Sequence, residues 1–510
     1  MRTIEGRSEH VVVIGAGLAG LSAALHLAGR GRTVTVVERE PWPGGRAGRL
    51  DIDGYRIDTG PTVLTMPDII DETFAAVGRS RSGRLELLPL EPAYRAAFAD
   101  GSALDVHTDP ERMATAIEEF AGFGQAAGYR RLREWLTRLY RIEFDGFIAA
   151  NFDSPLSLLT PQLARLAAIG GFRKWDHMVK RHISDPRLQR VFTFQSLYAG
   201  VAPRNALAVY AVIAYMDTIA GVFFPRGGVR ALPDALASAA AEAGVQFRYS
   251  ATVTGLDRSG GRISAVRTDR LHPIACDAVV LTTELPQTYA LLGRTPRRPL
   301  RLRPAPSAVV AHLGCRGVAS DTAHHTILFG NSWDRTFTDI IRDGRLMQDP
   351  SLLVTRPTAS DPALAPDGRD LLYVLAPAPN LDRGNIDWDI VGPRYVDNLI
   401  DDVANRLLPG LPDNATVLDV VTPADWARQG MAAGSPFALA HTFAQTGPFR
   451  PANMVRGIDN AVLAGSSTVP GVGVPTTLIS GRLAADRITG TGAGRANRMP
   501  THHDMGAGLT

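Results

Sequence analysis

The sequence predicts an α/β protein, and three observations support this fold class. Residues 10 to 38 are typical of strand, glycine turn, helix and strand, because HVVVI precedes GAGLAG, an apolar helical stretch and TVTVV. The α/β pattern returns after Gly227 and again from residue 460. The chain has 510 residues, of which 45% are hydrophobic, and is therefore long enough to bury more than one core. We expect a Rossmann-type domain built from discontinuous segments, a mixed α+β domain and a helical insert.

These patterns divide the chain into six segments. Segments 8–75, 226–299 and 451–490 carry the α/β pattern and are predicted to form one nucleotide-binding domain. Segment 76–225 contains an amphipathic helical stretch from about Met113 to Gln189, and segment 300–450 mixes strand and helix patterns. Segment 491–510 has no periodicity, so we expect a disordered tail.

Charge and cysteine content exclude several classes of protein. Fifty-four basic against fifty-one acidic residues give a net charge of +3, which is too balanced for a nucleic-acid partner. Cys276 and Cys315 form no CxxC pair, so neither a metal site nor a redox dithiol is expected. The residues before the first strand are polar, and the longest apolar tract, 191–225, is interrupted by Arg204 and Asp217. We therefore predict a cytoplasmic protein without a transmembrane helix.

The first turn has the spacing of a dinucleotide site. Gly15, Gly17 and Gly20 form GxGxxG between strand and helix, which allows a tight turn and a close approach to a pyrophosphate. Glu38 ends the next strand, where its carboxylate can accept hydrogen bonds from an unphosphorylated ribose. This favours FAD or NAD over NADP. An ordinary βαβ crossover with a surface glutamate is the alternative.

Two further stretches bear on the choice between FAD and NAD. PGGR at 43 to 46 offers a loop that can pass close to a ligand and an arginine, Arg46, for pyrophosphate or flavin oxygens. Near the C-terminus, PGVGVP at 470 to 475 leads into a helix and would present N–H groups to the pyrimidine edge of a flavin. A solvated arginine and an empty strand-helix turn remain the alternatives.

Taken with these stretches, other motifs make a resemblance specific. DTGPT at 58 to 62, FPRGG at 224 to 228, HHTILFG at 324 to 330, DPALAPDG at 361 to 368 and TVPGVGVPTTLISG at 468 to 481 occur in this order. With them, the chain resembles the bacterial-type phytoene desaturases from about Val11 to Ile488. The glycine turn and PGGR are shared with amine oxidases, whereas FPRGG, HHTILFG and the C-terminal segment are typical of carotenoid desaturases.

The resemblance implies an FAD site, with adenine near the backbone of Val253. The cofactor contacts implied in this sequence are Gly15, Ala16, Gly17, Gly20, Glu38, Arg39, Gly45, Arg46, Gly60, Val253, Gly465, Gly471, Gly473 and Val474. One departure concerns the C-terminal turn, because many relatives have Thr-His-Pro-Gly where this chain has Thr468-Val469-Pro470-Gly471. Any role for that histidine is therefore in doubt here.

The implied activity is FAD-dependent desaturation of phytoene to lycopene, with oxygen or a quinone as the final electron acceptor. Such a substrate is long and apolar, so segments 76–225 and 300–450 would hold it, and the enzyme would attach peripherally to a membrane surface. The tract 191–225 is a candidate tunnel lining, although core packing explains any single aromatic in it as well. A desaturase or isomerase acting on another carotenoid and a flavin amine oxidase remain alternatives.

Asp185 is the proton acceptor that the resemblance implies. Its place directly before Pro186 is also that of a helix N-cap with proline at the first helical position, and this interpretation is favoured.

Overall fold

The computed structural model describes residues 1–298, 300–318 and 321–490, so the tail predicted at 491–510 lies outside the described residues. The strands are β1 (His10–Ile14), β2 (Thr33–Val37), β3 (Arg49–Ile52), β4 (Tyr55–Asp58), β5 (Leu64–Thr65), β6 (Leu87–Pro89), β7 (Tyr94–Phe98), β8 (Ala103–Val106), β9 (Val222–Pro225), β10 (Gln246–Arg248), β11 (Val253–Ser259), β12 (Arg262–Thr268), β13 (Ile274–Ala275), β14 (Ala278–Leu281), β15 (Ser307–Cys315), β16 (His325–Phe329), β17 (Leu352–Thr355), β18 (Asp370–Ala378), β19 (Ala415–Val421) and β20 (Ala461–Leu463).

The α-helices follow the same order along the chain. They are α1 (Leu18–Ala28), α2 (Pro67–Ala75), α3 (Pro110–Ala121), α4 (Phe123–Glu143), α5 (Pro161–Ala168), α6 (Trp175–Lys180), α7 (Pro186–Val191), α8 (Val212–Tyr215), α9 (Ala231–Glu242), α10 (Leu285–Leu291), α11 (Trp333–Phe337), α12 (Trp388–Arg406), α13 (Leu411–Asn414), α14 (Pro423–Arg428) and α15 (Val474–Thr489).

A parallel sheet of five strands, in the order β10-β2-β1-β14-β20, forms the first layer. Its central strands are buried on both faces, as expected for parallel strands covered on each side. The βαβ unit predicted at residues 10 to 38 is present as β1, α1 and β2. Strands from three distant parts of the sequence pair in register here, for example Val12 with Val279 and Val279 with Ala461. The α/β class predicted from the sequence is confirmed.

Helix α15 packs directly on α1, because small residues let the two backbones approach. A Cβ atom on Gly481 would lie 2.3 Å from the carbonyl oxygen of Ala19, so only glycine fits at this contact. The Ser22 hydroxyl donates a 2.7 Å hydrogen bond to the Leu478 carbonyl, which joins the two helices a second time. Both helices begin at the carboxyl ends of their preceding strands, so their N-termini face the same side of the sheet.

A second sheet of seven strands, in the order β19-β15-β18-β17-β16-β7-β8, forms the other domain. Helix α12 covers one face through a buried cluster that includes Leu399 and Val403. Strands β7 and β8 come from segment 76–225, where the sequence analysis singled out only helices, and β7 pairs parallel to β16. This pairing is non-local, so the local pattern did not signal it.

Helices α3 to α8 and short 3₁₀ and π-helical segments form the insert that the sequence predicted. Stacking of Tyr140 on Tyr215, with ring centroids 4.2 Å apart, holds α4 against α8. None of the helices in the described part of the chain is long and apolar enough to cross a membrane.

We expect Gly481→Ala to lower the free energy of unfolding by about 1–3 kcal/mol, because the new methyl group would overlap backbone atoms of α1. Gly124→Ala is the matched control, since Gly124 is also helical and an added Cβ would meet no atom within 4 Å. The control should be neutral or slightly stabilising. Reversible urea unfolding measures both, and equal stability of the two variants would contradict the close approach of α1 and α15.

Candidate active site

A cavity of about 1510 Å³ lies at the carboxyl ends of β1, β2, β14 and β20 and extends between the two sheets into the helical insert. Open α/β sheets generally bind ligands at this edge. The volume exceeds the 300–1,000 Å³ that is common for a site holding one small ligand. The cavity therefore has room for a cofactor and a second, extended molecule.

The glycine turn forms one wall. A Cβ atom on Gly20 would lie 1.9 Å from the Gly15 carbonyl oxygen, so Gly20 is required for α1 to pack against the turn. The Gly44 amide donates a 2.9 Å hydrogen bond to the Ala16 carbonyl, which brings the PGGR loop alongside the turn. Gly45, at φ +56°, then lies directly against the backbone of Gly17. The result is a narrow strip of exposed backbone at the N-terminus of α1, suited to a phosphate group.

Glu38 is held rigidly at the end of β2. Its Oε2 accepts a 2.6 Å hydrogen bond from the Ala16 amide, and its Oε1 accepts one of 2.9 Å from the Glu40 amide. The side chain is buried, yet it borders the cavity next to Val253 at the start of β11. Each carboxylate oxygen keeps a second lone pair for a ligand donor.

Arg46 pairs with a carboxylate that the sequence analysis did not identify. Its guanidinium forms an ion pair with Glu284, which follows β14, and donates 3.0 Å hydrogen bonds to the Ser466 hydroxyl and the Pro436 carbonyl. The pair joins three distant parts of the sequence at the cavity wall. The Arg46 guanidinium would therefore have to contact a cofactor while it remains paired with Glu284.

The C-terminal turn is supported from behind by Arg450. This side chain is 1% exposed and donates to the carbonyls of Thr468 and Ser466, at 2.8 and 2.6 Å, and more weakly to those of Gln445 and Leu439. Within the described ranges, no carboxylate forms an ion pair with it. Burial lowers its pKa to about 10, so it stays positively charged at neutral pH. A buried positive charge therefore lies behind the turn, next to the N-terminus of α15.

The far part of the cavity is apolar. Side chains from the insert and from the tract 191–225 line it, among them Phe147, Leu166, Val209, Ile213 and Met216. Other aromatics of the tract, such as Phe192 and Phe224, are buried in the core instead. Part of this tract therefore lines the cavity, and part of it is buried in the core.

Two acids interrupt the apolar part. Glu143 is 4% exposed, borders the cavity, and its Oε1 has no hydrogen-bond partner among the described residues. Burial raises its pKa well above the usual range. Asp217 also borders the cavity, and burial raises its pKa to about 7. Neither was singled out as a site residue, although Asp217 stood out as the charge that ends a twelve-residue uncharged stretch.

Four of the motifs that carry the resemblance meet at one junction beside the cavity. Asp58 of DTGPT accepts hydrogen bonds from the amides of Val229 and Arg230, directly after FPRGG. Asp361 of DPALAPDG accepts one of 2.7 Å from the Gly227 amide, and His324 of HHTILFG packs on Phe224 at 4.7 Å. Burial raises the pKa of Asp58 to about 6. The motifs thus join the two domains.

Most of the predicted cofactor residues border this one cavity. They are Gly15, Gly17, Glu38, Arg39, Gly45, Arg46, Gly60, Val253, Gly465, Gly473 and Val474. Ala16, Gly20 and Gly471 are not among the lining residues. Ala16 and Gly20 instead support the first turn through the Glu38 hydrogen bond and the Gly15 contact, and Gly471 lies against His441. The cofactor contacts of all fourteen residues stay predictions.

Asp185 takes the structural role that the sequence favoured for it. Its carboxylate accepts hydrogen bonds from the amides of Arg187 and Leu188 and so caps α7. It also pairs with the Arg187 guanidinium at 2.9 Å. Asp185 does not border the cavity. Its role as a proton acceptor stays a prediction.

The fold and the cavity are those of a protein with two main sheets, in which a polar wall at the strand ends continues into an apolar part that reaches the helical insert. The family model of flavin-containing amine oxidoreductases matches residues 18–489. The phytoene dehydrogenase of Streptomyces griseus is 62% identical over 500 residues, covering 98% of each chain. The zeta-carotene-forming phytoene desaturase of Myxococcus xanthus is 36% identical, covering 94% of each. The lycopene-forming enzyme of a Paracoccus species is 32% identical, covering 93% of this chain and 96% of its own.

The chain belongs to the phytoene dehydrogenases (desaturases) within the flavin-containing amine oxidoreductases, and it is an oxidoreductase. Solved structures agree on the fold. A redesigned putrescine oxidase aligns with a TM-score of 0.60 at 14% identity, covering 94% of this chain and 99% of its own. An oxidoreductase from Methanosarcina mazei aligns with a TM-score of 0.60 at 16% identity, covering 92% and 98%.

Membership of this family implies a flavin cofactor, and the residues at the strand ends fit one. The N-termini of α1 and α15 have no side-chain cap, so their amides are available to a ligand. At Gly20, a side chain would close the first turn.

Proposed function

We propose that this chain binds FAD along the strand ends and desaturates phytoene in carotenoid biosynthesis. The observation that carries the proposal is one continuous cavity with a polar part suited to a dinucleotide and an apolar part suited to a hydrocarbon. The 62% identity to a phytoene dehydrogenase over nearly the whole chain supports the choice of substrate.

In this proposal the ribose of FAD lies against Glu38, and adenine lies near the backbone of Val253. The pyrophosphate lies at the N-terminus of α1, where backbone amides and the helix dipole favour negative charge. The flavin ring lies against the C-terminal turn. The N-terminus of α15 and the Arg450 charge behind it would both stabilise negative charge at the pyrimidine edge.

When bound, the flavin supplies a two-electron oxidant for adjacent C–H bonds of the substrate. The protein's own part is to place and shield the substrate. Aliphatic and aromatic side chains from the insert hold a long hydrocarbon by its buried area, at about 25 cal/mol per Å² of apolar surface. They also exclude water from the reacting carbons.

The number of desaturation steps belongs to this proposal as well. The zeta-carotene-forming relative and the lycopene-forming relative align with this chain over 94% and 96% of their own lengths. We propose that the product depends on how far the hydrocarbon slides in the apolar part. We propose lycopene, formed by successive passes at one flavin. Reoxidation between passes then requires oxygen or a quinone from outside the chain.

Apolar side chains at the mouth of the cavity support attachment to a membrane surface. Phe172 and Phe443 border the cavity and are 41% and 62% exposed. Leu156 and Leu159 are 74% and 76% exposed, on and just after a 3₁₀ segment (Pro155–Leu158) that contacts the one holding Phe449. We propose that this apolar mouth, defined by Leu156, Leu159, Phe172 and Phe443, dips into a bilayer and admits the substrate.

Glu38→Gln tests the cofactor site. The amide carries no charge and has one acceptor oxygen, so we expect FAD affinity to fall about 10- to 100-fold, as hydrogen bonds to a charged group are lost. Flavin fluorescence quenching on the apoprotein measures the dissociation constant. Glu9→Gln, at an exposed position just before β1, is the control and should bind as the wild type does. Unchanged affinity of the Glu38 variant would contradict the placement of the ribose.

Expression in a phytoene-accumulating host tests the reaction. We expect colourless phytoene to become a coloured product with the absorption spectrum of lycopene. In vitro, anaerobic incubation without a quinone should stop after about one turnover, because the bound flavin stays reduced. An unchanged phytoene pool, with an added amine or another carotenoid consumed instead, would refute the proposed substrate.

Leu156→Glu with Leu159→Glu tests the apolar mouth. We expect binding to phosphatidylglycerol-containing vesicles to fall by more than about tenfold, because two apolar anchors are replaced by charges. Ile390→Glu is the matched control, since Ile390 is 66% exposed on α12 and does not border the cavity. Co-sedimentation measures both, and equal binding of the two variants would contradict this membrane contact.

A further inference from the structure

Asp217 lies in the wall of the cavity, and the proposed function assigns no role to it. It lies on a π-helical turn (Met216–Ala220) between α8 and β9, among the apolar side chains that line the far part of the cavity. An isolated carboxyl group in such surroundings is costly to bury, so a stability role does not explain it.

The groups facing Asp217 come from several neighbouring elements. The Gln195 amide, on a 3₁₀ segment (Phe194–Leu197), forms a hydrogen bond with its carboxyl group. The phenols of Tyr198 and Tyr94 lie within electrostatic range of it. Arg133 of α4 reaches the backbone carbonyl of Thr218 at 3.5 Å and pairs with no carboxylate among the described residues, Asp217 included. Burial, which raises the pKa of Asp217, therefore outweighs the single hydrogen bond, which lowers it.

Aromatic residues connect Asp217 to the cofactor side of the cavity. Tyr198 borders the cavity and lies within electrostatic range of both Asp217 and Tyr373. The Tyr373 hydroxyl lies 3.5 Å from the Gly60 carbonyl, and Gly60 borders the polar part. Asp217 and Gly60 thus border the same cavity.

Glu143 is the other acid in the apolar part, and its environment differs. It has no hydrogen-bond partner for Oε1 within the described residues, and burial raises its pKa well above the usual range. Burial thus favours the neutral form of Glu143, which cannot accept a proton. With a pKa of about 7, Asp217 exists in both forms at neutral pH, which suits a general base.

We propose that the Asp217 carboxylate accepts the proton that the substrate loses in each desaturation. Two C–H bonds on adjacent carbons break. The hydrogen of one leaves with its electron pair to the flavin oxidant. The electron pair of the other becomes the new C=C bond, and its proton goes to an Asp217 oxygen. That proton passes to solvent when the product leaves, which restores the carboxylate for the next pass.

This inference rests on the proposed function, and variants separate the two. We expect Asp217→Asn to lower the single-turnover rate of phytoene desaturation about 10²- to 10⁴-fold, the range typical of a lost general base. The wild-type rate should rise with pH through about 7 and level off above it, as the carboxylate forms. Asp217→Asn should lose this rise. Glu143→Gln should keep it, whatever its absolute rate.

Asp185→Asn is the matched control outside the cavity, and it should also keep the pH dependence. If the wild type itself leaves phytoene unchanged, the proposed function fails. If the wild type desaturates and Asp217→Asn retains the rate and the rise with pH, the base assignment alone is overturned. If Asp185→Asn loses the rise instead, the proton acceptor is Asp185.

A readout without turnover tests the same group. The folded-state pKa of Asp217 is raised, so its contribution to stability is lost as pH rises toward and through about 7. The melting temperature of Asp217→Asn relative to the wild type should therefore increase between pH 5 and pH 8. In infrared difference spectra of the substrate-free protein, a protonated carboxyl band should titrate near pH 7 and be absent in Asp217→Asn. A band that titrates below pH 5 would overturn the assignment.

Discussion

The direct backbone contact between α1 and α15 is the constraint on which the site depends. Because Gly481 brings α15 against the Ala19 carbonyl, the two helices start side by side at the strand ends. Both N-termini then point into the same cavity, and neither has a side-chain cap. Two half-charges of one sign are thus held a fixed distance apart by packing alone. A pyrophosphate at one N-terminus, with a flavin ring at the other that becomes anionic on reduction, would match that arrangement.

The rest of the cavity shows how one protein serves two ligands of opposite polarity. At the polar part, charged side chains are tied to backbone groups: Glu38 to two amides, and Arg450 to carbonyls of the C-terminal turn. Their positions are therefore fixed without an oppositely charged side chain. Their charges thus remain available to interact with a ligand. At the apolar part, Glu143 and Asp217 lack such ties, and burial raises the pKa of both.

The sequence predicted those features of the fold that depend on local patterns of residues. The first βαβ unit and the cap at Asp185 are where the apolar periodicity and the turn residues placed them. Pairings between distant segments were not readable in this way. No local signal joined Arg46 to Glu284, or β7 to β16, because each contact depends on tertiary packing. Asp217 was visible as a lone charge in an apolar tract, but its exposure to the cavity required the fold.

The order of strands in the first sheet has a consequence for synthesis on the ribosome. Strand β1 must pair with β14, whose residues lie about 270 positions later, as Val12 does with Val279, and β14 in turn pairs with β20 at Ala461. At the usual translation rate of 5–20 residues per second, the last strand and α15 are synthesised roughly 20–90 s after the N-terminal glycine turn. During that time the turn faces an incomplete sheet. The cavity wall at the strand ends is therefore complete only after β20 and α15 have been synthesised.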